Sequence, residues 1–329
     1  MQGTVRSHLR VLLVGLLVLL GPMGEPRAQA TSYPERPVSI ISSLTAGSGI
    51  DVVARIIAER LTQMWGKQVQ VVNHPGAGGL VATRTAAGAT PDGYTLYMAA
   101  SSSFIVLPQT HAKLPFDLDR DFVRIAFVSE QPMVVCVAAS FAANSLPELI
   151  ARAKERPGEI LYTANTRGSL PHLAGELLRI RSGAEFTFVP YPGAPQGLQD
   201  VVGGRLPMIV NSLGALSGAI KGGQVKALAV TSSQRLPNMP DLPTVAELYP
   251  GYEASGWFVM VAPAGTPSDI VAKVDQDLRA VLAQPDIKQR LEGLAVYTRT
   301  MSGPELNAFI RGEQELWKPV IQQIGLAVQ

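Results

Sequence analysis

Short apolar runs alternate along this chain with segments that have a helical repeat. The stretch that begins at Val38 opens on β-branched residues, as a buried strand requires. It ends with the apolar pairs 52/53 and 56/57, which recur at about 3.6 residues, as on one face of a helix. A loop of small residues, 42–51, lies between them. Because the same order recurs downstream, the sequence predicts an α/β fold built from mainly parallel sheets with helices on both faces.

The pattern also places the remaining elements. Residues 122–138 contain two apolar runs, which Glu130-Gln131-Pro132 separates, and the spacing of Ser145 and Glu148 predicts a capping box at the start of a helix. We expect further strands at 69–72, 94–99, 160–164, 186–191, 207–211, 226–231 and 256–262, and helices at 80–87, 170–180, 195–202, 213–221, 268–282 and 302–324.

The middle of the chain reads as a second, complete α/β unit. From Pro237 onward prolines become frequent, and the helices after this region are expected to pack back onto the first unit. We therefore predict a signal peptide at 1–30, a discontinuous first lobe at 31–130 and 236–329, and an inserted second lobe at 131–235. The similar turns 74–77 and 191–194 follow a strand in each half, at carboxyl ends where ligands bind in open α/β sheets.

The loop 42–51 is a candidate anion site. It ends at a helix N-terminus, where unpaired N–H groups and the positive end of the helix dipole face one point. The alternative is an ordinary strand–loop–helix connection whose serines cap the helix.

The N-terminus predicts export. Arg6, His8 and Arg10 precede the apolar run Val11–Leu20, and Ala28-Gln29-Ala30 has the pattern of a signal cleavage site, with cleavage expected after Ala30. This leader carries three of the 28 basic and one of the 26 acidic residues, so the rest of the chain has equal numbers of each. That balance gives no indication of nucleic-acid binding. The single cysteine, Cys136, excludes an intramolecular disulfide, and its valine neighbours predict a buried thiol.

Motifs for catalysis are missing from the sequence. Neither a G-x-S-x-G elbow nor an H-E-x-x-H motif is present, and His74, His111 and His172 are far apart. The glycines at 76–79 lack the third glycine of a dinucleotide loop, since Val81 stands there. We expect no enzyme, no cofactor and no metal. Two facing α/β units with small-residue loops indicate a solute receptor that closes about a hinge. An exported enzyme with a spatially assembled site remains an alternative.

Many short motifs resemble one family, the tripartite tricarboxylate transporter receptors (Bug proteins), over essentially the whole chain after the leader. These motifs lie at 33–37, 47–55, 73–79, 91–96, 172–177, 189–193, 227–231, 243–247, 257–258 and 262–267. The resemblance implies a two-lobed periplasmic-binding-protein (Venus-flytrap) fold and a periplasmic receptor for a small organic carboxylate. The implied partners are membrane permease subunits or a sensor kinase, with the receptor itself a monomer. A scaffold protein of the same fold that has lost ligand binding is the second reading.

The resemblance also implies a set of ligand-binding positions, in which backbone amides, hydroxyls and water hold the carboxylate. They are Leu44, Thr45, Gly47, Ser48, Gly49 and Asp51 in the first loop, Ala164, Asn165, Thr166, Arg167, Gly168, Ser169 and His172 in the inserted lobe, Tyr191, Gly193 and Asn211 on the remaining wall, and Ser101 and Ser102 after a first-lobe strand. Other roles stay open for three of these: helix start for Asp51, helix packing for His172 and core packing for Tyr191.

Three positions depart from the family pattern. The usual Pro-Phe-x-Pro-Gly-Gly is replaced by the residues 43–48, which lose an aromatic wall and gain hydroxyls. Arg167 stands where a small or polar residue is common, and it is expected to pair with a second carboxylate. Asn211 stands where an acid is expected, which weakens selection for a ligand amine.

Overall fold

A computed structural model describes residues 33–326. The predicted leader and its cleavage site after Ala30 lie outside these residues. Within them, no helix combines the length and the apolar character that a membrane span needs. The strands are β1 (Val38–Ser42), β2 (Val69–Asn73), β3 (Thr95–Ala100), β4 (Phe122–Ala138), β5 (Ile160–Thr163), β6 (Phe186–Val189), β7 (Met208–Ser212), β8 (Val225–Val230) and β9 (Ser255–Pro263).

The long helices follow the predicted pattern closely, and four shorter ones, at 101–105, 107–110, 245–248 and 285–293, were not predicted. They are α1 (Gly49–Trp65), α2 (Leu80–Ala87), α3 (Ser101–Ile105), α4 (Leu107–Thr110), α5 (Leu146–Glu155), α6 (Leu170–Ser182), α7 (Ala194–Val202), α8 (Leu213–Lys221), α9 (Val245–Leu248), α10 (Ser268–Ala283), α11 (Pro285–Gly293) and α12 (Gly303–Gln323).

The same β-α-β-α-β unit occurs twice. In the first, β1 lies between β2 and β3 and is parallel to both; in the second, β5 lies between β6 and β7 and is parallel to both. The whole sheet has the order β2-β1-β3-β9-β4-β7-β5-β6, with β8 also paired to β4. The two units therefore sit at opposite ends of a common sheet. This mixed α/β architecture confirms the predicted class.

The long strands β4 and β9 join the two units by antiparallel pairing, which the strand–helix alternation did not predict. From Phe122 to Pro132, β4 pairs with β9. From Met133 onward it pairs with β7 on one side and β8 on the other. One strand thus changes its partners completely between two neighbouring residues.

The predicted break at Glu130-Gln131-Pro132 is wrong, because β4 is one continuous strand of 17 residues. Two features sustain it through the polar triplet. Glu130 exchanges both backbone hydrogen bonds with Tyr297, at 2.8 and 2.9 Å, and all three residues of the triplet stay in register with β9. Backbone pairing with β9 therefore carries the strand through residues that usually end one.

The predicted helix start at Ser145 is confirmed, but its capping box is only half formed. The Ser145 hydroxyl accepts the Glu148 N–H at 3.4 Å, but the Glu148 carboxylate accepts the N–H of Asn144 rather than that of Ser145. A complete capping box forms instead at Ser302 and Glu305, at the start of α12. This last helix packs on α3, α6 and β4, whereas α10 packs on α1 and β4.

Cys136 is buried in the core of the second unit, as its valine neighbours predicted, and its thiol is free. Burial raises the pKa of its thiol well above the ordinary value, which disfavours the reactive thiolate.

Candidate functional site

The loop between β1 and α1 is closed by a carboxylate. Gly47 has a positive φ of 82°, and its N–H donates to Asp51 Oδ2 at 2.8 Å. Ser48 N–H donates to Thr45 O at 3.2 Å, which completes a tight turn directly before the helix. The loop therefore has a defined backbone shape that leads into the first turn of α1.

The Asp51 carboxylate accepts hydrogen bonds from three residues in and beside this loop. Besides the Gly47 N–H, it accepts Arg55 Nε at 3.0 Å and Asn73 Nδ2 at 2.8 Å. Burial acts to raise the pKa of Asp51, but the hydrogen bonds from Arg55, Gly47 and Asn73 outweigh it and hold the pKa below its usual value. The Asn73 amide also donates to Leu44 O at 2.9 Å. Asn73 was not among the predicted site residues, although it begins the motif at 73–79.

The loop between β5 and α6 repeats this arrangement. Gly168 has the same φ of 82°, and its N–H donates to His172 Nδ1 at 3.2 Å. Ser169 N–H donates to Thr166 O at 3.0 Å. Both loops thus carry the sequence Thr-x-Gly-Ser, followed three residues later by the side chain that accepts the glycine N–H. This signal is present in the sequence at 45–51 and 166–172, but it was not among the predicted motifs.

The two serines of these turns are N-cap residues without a capping bond. Ser48 (φ −69°, ψ 161°) and Ser169 (φ −69°, ψ 155°) have nearly the same backbone conformation, and neither side chain caps its helix. Within the part of the chain that the structure describes, both hydroxyl oxygens are buried and have no hydrogen-bond partner. The alternative reading of the first loop, that its serines cap the helix, is therefore wrong for Ser48.

Each helix also begins with backbone N–H groups that find no acceptor among residues 33–326. In α1 these belong to Gly49, Ile50 and Asp51; in α6 they belong to Leu170 and His172, because Pro171 has no N–H. Such groups, with the helix dipole behind them, attract an anion. A hydroxyl and several amide donors thus lie at the start of both helices.

Two of the predicted wall residues, Tyr191 and Asn211, lie beside Asn165 of the second loop. Asn211 Nδ2 donates to Asn165 Oδ1 at 2.8 Å, and Tyr191 N–H donates to Asn165 O at 3.5 Å. The Tyr191 hydroxyl is hydrogen-bonded to Asp200, and the half-buried ring packs against the core of the second unit. The carboxyl ends of β6 and β7 are thereby tied to the second loop.

Other predicted residues have positions that the sequence did not indicate. Ala164 is fully buried, and Gly193 is the extended N-cap residue of α7. Ser101 is buried and Ser102 half-buried at the start of α3. Ser103, rather than Ser101 or Ser102, lies against the glycine-rich turn 76–79: its Oγ is 2.8 Å from the position that a Cβ on Gly79 would occupy.

Arg167 contacts the end of the last helix. Its Nη2 donates to Ile324 O at 2.5 Å, and a Cβ on the adjacent Gly168 would lie 3.5 Å from Leu326 Cδ1 and 4.0 Å from Val106 Cγ1. The second loop therefore lies against the residues that follow α12 and against the junction of α3 and α4. The bond from Arg167 uses one of the five N–H donors of the guanidinium, so the other four are not engaged by Ile324.

Gln131, which the sequence analysis did not select, lies between the two units. A Cβ on Gly49 would be 3.2 Å from Gln131 Nε2, and a Cβ on Gly214 would be 3.5 Å from the same atom. Gln131 on β4 therefore lies beside the first turns of α1 and α8. Its only trace in the sequence is the polar interruption of a long apolar run, which we interpreted as a break between strands.

Among residues 33–326, no group of His, Cys, Asp and Glu side chains is placed to hold a metal ion. Within the same residues, the polar groups that lack a protein partner at the starts of α1 and α6 are the hydroxyls of Ser48 and Ser169 and the first N–H groups of the two helices. This composition suits an anion that is held by hydrogen bonds.

The fold and the paired loops define a two-lobed solute-binding protein of the periplasmic type. A family model described as the tripartite tricarboxylate transporter family receptor matches residues 53–326. The chain belongs to this family, which confirms the resemblance read from its motifs. Protein BugT of Bordetella pertussis is 31% identical over 315 residues, covering 95% of this chain and 96% of BugT.

Two solved structures of similar proteins contain ligands. Rpa4515 of R. palustris, solved with adipate, is 30% identical with a TM-score of 0.81, covering 90% of this chain and 100% of that one. MatC of Rhodopseudomonas palustris, solved with malate, is 28% identical with a TM-score of 0.75, covering 88% of this chain and 100% of MatC. This protein is accordingly a solute-binding receptor by family and by fold.

Proposed function

We propose that this receptor binds the carboxylate of a small organic acid between the two Thr-x-Gly-Ser loops. The observation that carries the proposal is the pair of N-cap serines, Ser48 and Ser169, whose buried hydroxyls have no protein partner in the described residues. Leaving a buried hydroxyl without a hydrogen bond is costly, and a carboxylate provides acceptors for it and for the neighbouring N–H groups. The adipate and malate bound to relatives have this chemistry.

The proposed lobes are those of the sequence analysis, 31–130 with 236–329 and 131–235. The change of partner in β4 between Pro132 and Met133 supports a hinge there. The chain passes back from the inserted lobe to the first lobe shortly after Thr231. The Oγ1 atom of Thr231 lies 3.0 Å from Met133 O and 2.7 Å from Ala254 O. A ligand that contacts both loops stabilises the closed state, because it gains contacts there that the open state lacks.

The ligand is proposed to have no ammonium group. Asp51, the acid nearest the first loop, is already bonded to Arg55, Asn73 and Gly47. The neutral Asn211 is bonded to Asn165. A cationic amine would therefore meet no available carboxylate among these residues, and its desolvation would be uncompensated.

We further propose that the protein is exported to the periplasm, with cleavage after Ala30, and acts there without catalysis. Its partners would be membrane permease subunits or a sensor kinase. The basic, apolar and small-residue regions of the leader support export, and its family consists of transport receptors.

A thermal-shift panel tests the ligand class. Adipate, malate, citrate and benzoate are compared with aspartate and glutamate, each at increasing concentration. A ligand at 100 times its Kd adds about 2.7 kcal/mol to the free energy of unfolding, and about 2–4 °C per kcal/mol makes this a rise in Tm of at least 5 °C. A rise in Tm with aspartate or glutamate only would contradict the proposal that the ligand has no ammonium group. No response across the panel would favour the scaffold reading, and turnover of a compound would favour an enzyme.

The serine pair can be tested with a matched control. Ser48→Ala and Ser169→Ala are each expected to weaken binding of the carboxylate found in the panel by about 10- to 100-fold, since a hydrogen bond to a charged group contributes about 1.5–3 kcal/mol. Neither should lower Tm appreciably, because neither hydroxyl caps its helix. Ser302→Ala is the control: it removes a true cap, so it should cost about 1 kcal/mol of stability and leave binding unchanged. Unchanged binding in both N-cap variants would remove these hydroxyls from the site.

A further inference from the structure

The side chain that closes the second loop is a histidine in a fixed tautomer. A backbone N–H can only donate, so the contact between Gly168 N and His172 Nδ1, at 3.2 Å, requires Nδ1 to be without a proton. The ring proton is then on Nε2, which faces Glu176 Oε1 at 3.9 Å. In the first loop, Asp51 performs the same task on Gly47.

The surroundings of His172 keep the ring neutral and oriented. Its ring packs on Phe188 of β6, with centroids 4.1 Å apart. Glu176 is held by the Tyr162 hydroxyl of β5 at 2.6 Å and by Arg179 Nε at 2.9 Å.

Charge and burial act together on this ring. Burial is the main cause that lowers the pKa of His172 to about 4; Glu176 opposes the shift, and Arg167 of the loop adds to it. These are the charged groups that act on the imidazole from its own helix and from the elements packed against it.

We infer that His172 is a positioning residue for the carboxylate site, acting through Gly168 rather than touching the ligand. The bond to Nδ1 fixes the glycine in its left-handed conformation, so the Ser169 hydroxyl and the first N–H groups of α6 are held in place before a ligand arrives. The effect on affinity rests on the proposed function, whereas the effect on the loop does not.

Two amide side chains separate this role from a direct contact. Asparagine places its oxygen near the position of Nδ1, whereas glutamine places its polar atoms near the position of Nε2. His172→Asn should therefore keep the Gly168 bond, and His172→Gln and His172→Leu should lose it. If His172 contacted the ligand through Nε2, glutamine would preserve binding and asparagine would not.

The first measurement needs no ligand. Amide hydrogen exchange of the segment 166–170, followed by NMR or mass spectrometry, should be slow at Gly168 in the wild type and in His172→Asn, and faster in the other two variants. The wild-type Gly168 amide resonance should also move with a midpoint near pH 4, as protonation of Nδ1 breaks the bond, and the asparagine variant should lack this transition. Equal protection in all four proteins would overturn the inference, as would an unprotected Gly168 in the wild type.

The second measurement uses adipate and malate as probes. Affinity should stay within about threefold of wild type in His172→Asn and fall about tenfold in His172→Gln and His172→Leu, as expected when a single loop hydrogen bond is lost. The reverse order of the asparagine and glutamine variants would overturn positioning and assign a direct contact. If neither probe binds the wild type, the proposed ligand class fails, and the exchange measurement still decides the role of His172.

Discussion

Replacing Glu313 with glutamine is expected to make this protein more stable at pH 8 by up to about 3 kcal/mol and to change its stability little at pH 4.5. Glu313 on α12 accepts the indole N–H groups of Trp257 and Trp317, at 2.8 and 3.3 Å. Burial is the main cause that raises the pKa of Glu313 to about 7, and the two indole bonds only partly oppose it.

The pH range follows from the sign of this shift. In the unfolded chain Glu313 loses its proton near pH 4.5, but in the folded protein it does so only near pH 7. The contribution of Glu313 to the free energy of unfolding therefore falls as the pH rises from about 4.5 to 7, and it does not change further above pH 7. The total fall is about 3 kcal/mol, at 1.36 kcal/mol per pKa unit. Glutamine carries no charge to desolvate, so this loss disappears.

Urea unfolding at several pH values between 4.5 and 8.5 checks this expectation. Glu315→Gln makes the same charge change on the exposed side of the same helix, and it controls for net charge. A stability difference between Glu313→Gln and wild type that does not vary with pH would show that Glu313 titrates as an ordinary carboxylate.

The same glycine-to-alanine change is expected to have opposite effects in two helices. At Gly175 in α6, a Cβ would lie 2.4 Å from Tyr162 Cε2, and this ring is fixed because its hydroxyl donates to Glu176 at 2.6 Å. Overpacking of this kind costs about 1–3 kcal/mol. At Gly218 in α8, nothing lies within 4 Å, so alanine should add up to about 1 kcal/mol through its helix propensity.

The two variants should therefore differ by about 2–4 kcal/mol in the free energy of unfolding, measured by urea unfolding under identical conditions. Gly175→Phe would not serve as a test, since any large residue is unfavourable in a core. A stabilised Gly175→Ala would mean that the Tyr162 ring moves freely and that the packing between β5 and α6 is looser than described.

Much of the local structure could be predicted because its causes are local. Hydrophobic periodicity located the strands and the long helices to within a few residues, and α2 and α8 to the residue. It failed at Gln131 and Pro132, where the polar and proline residues that usually end a strand lie inside β4. Pairing with β9 overrides that local preference, and β9 is more than a hundred residues away along the chain.

The candidate site was predicted at the level of its loops rather than its individual contacts. The glycine loops at the carboxyl ends of β1 and β5 were identified in advance. The hydrogen-bonding roles of Asp51 and His172 were not predicted, because a residue type indicates which bonds a side chain can form but not with which partner. Asp51 is occupied by Asn73 and Arg55, and His172 by Gly168.

By itself, the sequence determined the α/β class, the family and the two small-residue turns that precede helices, because periodicity, turn chemistry and motif order are all contained in short stretches of chain. Only the tertiary structure decided which side chains close those turns, which serines are left without a cap bond, and which polar residue lies between the units. These outcomes depend on groups that meet across long separations in the chain, as the contacts of Asp51 with Asn73, Arg167 with Ile324 and Gln131 with Gly49 and Gly214 show.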